Sequence, residues 1–316
     1  MTQQFIAGID IGGTKIAVAI AATEGKIVAR NSFPTDGGRA PQESMNQVLE
    51  TLEHLAESHH GRLAAIGIGC AGPLDLERGV VLAPPNMPDN WRQFPLRSFV
   101  ESKSRLPVIM DNDANAAVVA EHLYGAGRGY SDLVYLTIST GIGGGIIANN
   151  DLVHRLGEAG HVTVNPGGAR CGCGARGCLE AECSGTAIAR RAQEHLLSGK
   201  PSKLRDLVDD IKQVSAKTVE DAAREGDELA CAVWQETVSL MAIGIGSIVA
   251  LLAPQAIILG GGVTAGAGEF LLQPLRAEVN KRVRIVSMEG LQVLQAAFGA
   301  DSGLYGALAL AARALP

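Results

Sequence analysis

An α/β protein built from two similar halves is the fold class this sequence predicts, and three observations carry the prediction. A strand, a glycine-rich turn and a second strand at residues 5–22 (FIAGIDI, GGTK, IAVAIAA) recur about 125 residues later at 133–149 (LVYLTI, STGIGGG, IIAN). Around these units, apolar runs of strand length alternate with segments of helical periodicity. A third short apolar run, AIIL at 256–259, leads into Gly260-Gly261-Gly262.

Each element follows from local chemistry. FIAGIDI and IAVAIAA are near-continuous apolar runs, as strands buried on both faces require, and Gly12-Gly13-Thr14-Lys15 joins them. Glu24-Gly25-Lys26 turns the chain into a third strand, IVAR. Pro41 to His59 reads as an amphipathic helix with Met45, Val48, Leu49, Leu52, Leu55 and Ala56 on one face. LAAIGIGC (63–70) is a strand that ends at Ala71-Gly72-Pro73, and PVIMD (107–111) is another, followed by a helix from Asn112 to Tyr124. In the second half, LVH (152–154) reads as a further strand after IIAN, helices dominate from Cys183 to Leu252, and AIILGGGV is a strand entering a glycine turn. Ser302 to Leu315 is rich in Ala and Leu and reads as a helix. These elements place an N-terminal α/β domain at 1–115 and a larger one at 116–301, with the final helix, 302–316, packing back on the first.

Composition excludes several classes. With 316 residues and 47% hydrophobic content the chain can bury a large core, and its formal charge of −6 lacks the basic footprint of a nucleic-acid binder. MTQQFIAGID is not a secretory signal. Thr237 to Gly268 carries no charge, but Pro254 divides it, so a buried helix followed by a buried strand is expected rather than a bilayer span. A cytosolic protein follows, in which six cysteines are not a disulfide framework. Cys70 and Cys231 lie in apolar surroundings and read as core thiols, which leaves Cys171, Cys173, Cys178 and Cys183.

IDIGGTK is neither a P-loop nor a dinucleotide fingerprint, because a second strand follows the glycines. Glycines at a hairpin turn can aim several backbone N–H groups outward as an anion-binding concavity. Thr14 adds a hydroxyl and Lys15 a charge, and Asp10 at the strand end is suited to hold Mg²⁺ through water. One such loop alone is an ordinary glycine hairpin; three, each after a buried strand, suit a nucleotide. The set resembles the actin-like ATPase (ribonuclease H-like) superfamily, which includes the sugar kinases. That resemblance implies an active-site cleft between two domains. It assigns phosphate contacts to Gly12, Gly13, Thr14 and Lys15 and to Thr140, Gly141, Gly143 and Gly144, and a nucleoside contact to Gly261 and Gly262.

CGCGARGCLE at 171–180 packs three thiols into eight residues. Structural zinc wants four Cys or His ligands in a tetrahedron, and either Cys183 or His161 can supply the fourth. Glu158 and His161, three apart in GEAGH, share a side of a helical turn, and Glu180 follows the last cysteine of the cluster. Folding the loop onto His161 would gather two carboxylates and an imidazole, a donor–acceptor set suited to a polyol. Taken singly, each glutamate reads as a solvated loop charge.

GEAGH followed by CGCGARGCLE closely resembles the ROK family of repressors and sugar kinases, and the likeness runs from IDIGGTK through DNDANAA and STGIGGGI to LGGGV. It implies a structural zinc loop over 161–178 held by His161, Cys171, Cys173 and Cys178, with Cys183 free. It implies sugar contacts from Asn112, Asp113, Glu158, His161 and Glu180, and from Asn86 in APPNMPDNW, where proline turns also suit a plain loop residue. Asn112-Asp113 by itself reads as a helix cap. The resemblance makes Asp113 the general base that accepts the proton of the attacking hydroxyl. One departure is visible: only Arg155 and Leu156 separate His154 from Gly157, fewer than the family usually carries there.

The expected activity is Mg²⁺-assisted transfer of the γ-phosphoryl of ATP to the 6-hydroxyl of a hexose, glucose first by family frequency. N-acetylmannosamine, N-acetylglucosamine, fructose and allose are the alternative substrates, polyphosphate is an alternative donor, and a non-catalytic sugar sensor is the alternative class. A repressor would need a helix-turn-helix ahead of Ile9, for which there is no room. A homodimer is expected from the family, without nucleic-acid or membrane partners.

Overall fold

The computed structural model describes residues 3–83, 87–154, 157–283 and 290–315. Strands β1 (Gln3–Ile11) and β2 (Lys15–Ala21) form the expected hairpin, closed by the pair Ile11 and Ile16. β3 (Ile27–Pro34) adds an antiparallel edge to β2. Helix α1 (Pro41–Ser58) follows and buries Met45, Val48, Leu49, Leu52 and Ala56, as its periodicity dictates. β4 (Gly61–Cys70) runs parallel to β1, then come the short pair β5 (Leu74–Asp75) and β6 (Val80–Val81), helix α2 (Leu96–Ser104), β7 (Val108–Asn112) and helix α3 (Asp113–Tyr124). The sheet order is β3-β2-β1-β4-β7.

The second unit repeats that plan. β8 (Leu133–Ile138), β9 (Ile142–Ala148) and β10 (Asp151–Leu152) form the antiparallel part. Helices α4 (Leu179–Cys183), α5 (Gly185–Leu197), α6 (Ala216–Arg224) and α7 (Glu228–Leu252) intervene. β11 (Ala256–Gly260), α8 (Gly261–Ala267), α9 (Glu269–Arg282) and β12 (Gln292–Gln295) complete it. The order β10-β9-β8-β11-β12, with β8, β11 and β12 parallel, matches the first sheet strand for strand. The sequence repeat is therefore a repeat of topology. Each unit closes around its own apolar core, one built on Phe5, Ile9, Val18, Leu52 and Ile68, the other on Leu136, Leu179, Trp234, Ile257 and Leu271.

Three expectations change. The units divide at Gly129, not near 115: one is Met1–Gly129 with Ala300–Pro316, the other Tyr130–Gly299. The reason is that α3 packs on the C-terminal helix, Ser302–Arg313, which itself packs on β1 and β4. That approach is close enough that a Cβ at Gly67 would lie 1.9 Å from the Ala307 carbonyl oxygen. The third glycine run is not a glycine turn but the start of α8; Gly261 has φ +83, and a Cβ there would lie 2.3 Å from the Ile138 carbonyl oxygen. LVH contributes only Leu152 to a strand. α7 is long and apolar enough to cross a membrane by length and composition. Its buried side chains run from Leu229 to Val249, and α4, α5, α6 and α9 pack against it. Asn86, Arg155 and Leu156 lie outside the described residues.

Candidate functional site

In the first unit the turn 12–15 is held from within. Gly12 N–H donates to the Lys15 carbonyl (2.9 Å), Thr35 N–H to the Thr14 carbonyl (3.0 Å) and Thr35 Oγ1 to the Gly12 carbonyl (2.8 Å). No described residue accepts from Gly13 or Thr14 N–H, and the side chains of Thr14 and Lys15 are exposed. Two outward donors beside a cation are what an anion-binding turn needs.

Asp10 ends β1 next to this turn. Burial raises its carboxyl to about 6, the like charge of Asp113 adds to the rise, and Lys15 opposes it. Gly303, on the C-terminal helix, leaves the carboxylate its space: a Cβ there would lie 2.4 Å from Asp10 Oδ2. Asp113 opens α3 and keeps exposed surface, yet surrounding protein pushes its carboxyl above the usual range, against the pull of the Ala114 N–H that it accepts (2.9 Å). Asn112 is the N-cap, its Oδ1 accepting from Asn115 N–H (2.7 Å), so its Nδ2 donors remain for a ligand. Asp111 is buried and accepts from Asn112 N–H and from Asn115 Nδ2, both at 2.8 Å, which locks the strand–helix junction. The Cys70 thiol is buried close to these carboxylates; burial first, then Asp113 and Asp10, pushes it up to about 12, as an inert core thiol requires.

In the second unit Ser139-Thr140-Gly141 is the turn between β8 and β9. Gly143 and Gly144 lie inside β9 rather than in the turn, and a Cβ on Gly144 would meet the Gly157 carbonyl oxygen at 2.6 Å. Gly144 thus admits the GEAGH segment against the sheet. Beside the turn is a cavity of about 540 Å³ lined by Thr140, Thr186, Gln193, Lys217, Glu220 and Gly262, among others.

The cysteine loop folds back on GEAGH. Val164 N–H donates to the Gly177 carbonyl (2.7 Å), Leu179 N–H to the Val162 carbonyl (2.8 Å) and Cys171 N–H to the Ala175 carbonyl (2.9 Å). The donor atoms of His161, Cys171, Cys173 and Cys178 all lie within 4.8 Å of one another. Cys173 and Cys178 sulfurs are 3.7 Å apart, and Cys171 Sγ is 3.5 Å from His161 Nδ1. A tetrahedral zinc with ordinary bond lengths separates two sulfurs by about 3.75 Å and a sulfur from a nitrogen by about 3.55 Å. The donor set and its spacing fit that ion. Cys183 is not part of the group; it is buried, with its Sγ 3.6 Å from the Thr237 carbonyl oxygen.

His161 Nε2 faces Glu158 Oε2 at 3.8 Å, so one ring nitrogen looks to the thiols and the other to a carboxylate that is otherwise exposed. Glu180 stands across the loop, its Oε1 3.9 Å from Cys171 Sγ and its Oε2 accepting from Ile142 N–H at 2.9 Å. Within this unit Glu158 thus lies beside His161, and Glu180 beside Cys171 of the same Cys/His group. A brace the sequence did not reveal lies behind them. Buried Glu182 accepts from Ala169 N–H (2.7 Å) and pairs with buried Arg191 (3.6 Å), which also donates to the Glu182 carbonyl and to Thr237 Oγ1 (3.1 Å). No local pattern marks Glu182, Arg191, Thr35 or Gly303, because each acts on residues beyond its own turn of chain.

Residues 6–314 match the model of the ROK family. The chain belongs to the ROK family. A glucokinase of Halalkalibacterium halodurans is 36% identical over 97% of this chain and 94% of its own length. A ROK family glucokinase from Streptomyces griseus, solved in complex with glucose and AMPPNP, superposes with a TM-score of 0.76 at 36% identity, over 98% of this chain and 99% of that one. The ROK hexokinase of Thermus thermophilus gives 0.81 at 33% identity and covers 97% of both chains. The α/β architecture of two matching sheets is thus that of ROK sugar kinases.

Proposed function

We propose that this ROK protein is an ATP-dependent hexokinase that phosphorylates glucose at its 6-hydroxyl. The observation that carries the reading is the placing of Glu158, His161 and Glu180 at a group of four Cys/His donors that lie within 4.8 Å of one another, two of the pairs at the separation zinc requires. The likeness to glucokinases over nearly the whole chain supports it.

His161, Cys171, Cys173 and Cys178 would hold zinc, and Asp10 would hold Mg²⁺ through water; zinc fixes the loop, and Mg²⁺ neutralises phosphate charge. Glu158, Glu180 and His161 Nε2 bind and orient the sugar hydroxyls, with Asn112 donating through Nδ2. Asp113 takes the proton from the 6-hydroxyl as its oxygen bonds to the γ-phosphorus; the bond from that phosphorus to the bridging oxygen breaks, and ADP leaves. Outward N–H groups of the turns at 12–15 and 139–141 stabilise the charge on the phosphate oxygens. Gly261 and Gly262 border the nucleoside, for which the cavity beside Gly262 offers room; this favours ATP over polyphosphate as donor.

The test is ADP release, followed in a coupled assay over glucose, mannose, fructose, N-acetylglucosamine and N-acetylmannosamine with ATP or polyphosphate. Turnover with ATP and highest kcat/KM for glucose is expected. Preference for an acetamido sugar would reassign the substrate within the family, and sugar binding without turnover would make the protein a sensor.

A further inference from the structure

Glu180 sits between two parts of the second unit that the proposed reaction uses separately. Its Oε2 accepts the Ile142 N–H at 2.9 Å, at the point where the turn 139–141 re-enters β9. The carboxylate lies so close against the turn that a Cβ on Gly141 would meet Oε2 at 2.5 Å. Two more bonds come from the residues just after it. Gly185 N–H donates to the Ser139 carbonyl (2.7 Å), and Thr186 Oγ1 donates to the Thr140 carbonyl (2.8 Å).

The segment 180–186 thus grips the turn at three points, Ser139, Thr140 and Ile142. Its other end is anchored in the cysteine loop, through Leu179 N–H to the Val162 carbonyl and through Glu182 to Ala169 N–H. With its carbonyls at 139 and 140 and its N–H at 142 all engaged, the turn keeps the N–H groups of Thr140 and Gly141, from which no described residue accepts. Those two donors are the ones left for an anion.

We propose that Glu180 is a positioning residue for the phosphate turn as well as a sugar ligand, so that nucleotide and sugar affinities depend on one carboxylate and are coupled through it. The inference rests on the ATP-dependent reading above and extends it. Linkage requires the coupling to be reciprocal: whatever factor sugar gives to nucleotide, nucleotide gives to sugar.

The experiment measures Mg²⁺–AMPPNP binding by calorimetry with no sugar present, so that the sugar contacts of Glu180 cannot contribute. Metal content and thermal melting are recorded for each variant. Glu180→Gln keeps an acceptor oxygen for Ile142 N–H and is expected to bind AMPPNP within about twofold of the parent. Glu180→Ala removes the acceptor and is expected to bind about tenfold more weakly. Glu180→Asp keeps the charge but draws the acceptor back from the Ile142 N–H by one bond, and is expected to weaken AMPPNP a few-fold. Repeating the titrations with saturating glucose should change nucleotide affinity in the parent, and that change should be absent in Glu180→Ala.

Parent-like AMPPNP affinity in a folded, metal-loaded Glu180→Ala protein overturns the proposal. If that variant loses its metal or its fold, Glu180→Asp decides, and parent-like affinity there overturns it equally. Failure of the parent itself to bind AMPPNP is a different result, because it removes the ATP reading rather than the role of Glu180 in the turn.

Discussion

Replacing Asp10 by Asn should make the protein more stable near neutrality while removing its activity. A carboxyl that titrates at about 6 when folded and near 3.8 when unfolded retains a proton in the folded state that the unfolded chain has already released. Stability therefore falls as pH rises from 3.8 to 6, and the full penalty is present above that window. At 1.36 kcal/mol per pH unit the gap corresponds to about 3 kcal/mol. Asp10 is only half-buried, so solvent screening reduces this to about 1–2 kcal/mol. Asn fills nearly the same volume beside Gly303 and places no charge opposite Asp113. Urea unfolding without Mg²⁺ or nucleotide should show Asp10→Asn more stable by about 1–2 kcal/mol at pH 7.5 and indistinguishable from the parent at pH 3.5. An equal effect at both pH values would mean that packing, not ionisation, separates the two proteins. A loss of stability at pH 7.5 would refute the account of Asp10 as a charge held at a cost for function.

Three further outcomes are expected. Asp113→Asn should lower sugar phosphorylation by about 10³-fold or more while glucose binding stays within about threefold, and near-parental turnover would remove the base assignment. In the parent, because burial raises the Asp113 carboxyl and the base must be ionised, kcat/KM should fall as pH drops through a value above the ordinary carboxylate range; a limb at or below that range would contradict the shift. Cys173→Ser should lose metal and glucose affinity together, measured by elemental analysis and calorimetry, whereas metal loss with unchanged glucose affinity would separate the cluster from the sugar groups. Gly67→Ala should cost about 3 kcal/mol in denaturant unfolding, because the new Cβ would lie 1.9 Å from backbone at Ala307, which cannot swing aside as a side chain can; a cost below about 0.5 kcal/mol would show that the C-terminal helix yields readily.

Much of the fold was legible because it is written in local chemistry. The apolar runs at 5–11, 16–22, 133–138 and 256–259, and the face of α1, report their own secondary structure by period and length. The cysteine spacing announced a metal loop in the same way, but Cys183 and His161 were equal candidates on sequence, and only the resemblance to a family chose between them. The structure gives the physical ground: Cys183 belongs to the core face of α4 beside Thr237, while His161 Nδ1 is brought to 3.5 Å from Cys171 Sγ.

Period and spacing by themselves determined that this chain is a duplicated α/β protein with glycine turns after buried strands and a cluster of thiols near two glutamates. Tertiary structure alone decided that α3 and the C-terminal helix belong together, that the third glycine run opens a helix, that Gly303 shapes the space of Asp10, and that Glu180 bonds to the turn before β9. Those features depend on a hydrogen bond between residues 38 positions apart and on close approaches between residues up to 293 positions apart. Such contacts form only once both partners are held by their own elements, and no residue pattern along the chain encodes which two surfaces will meet.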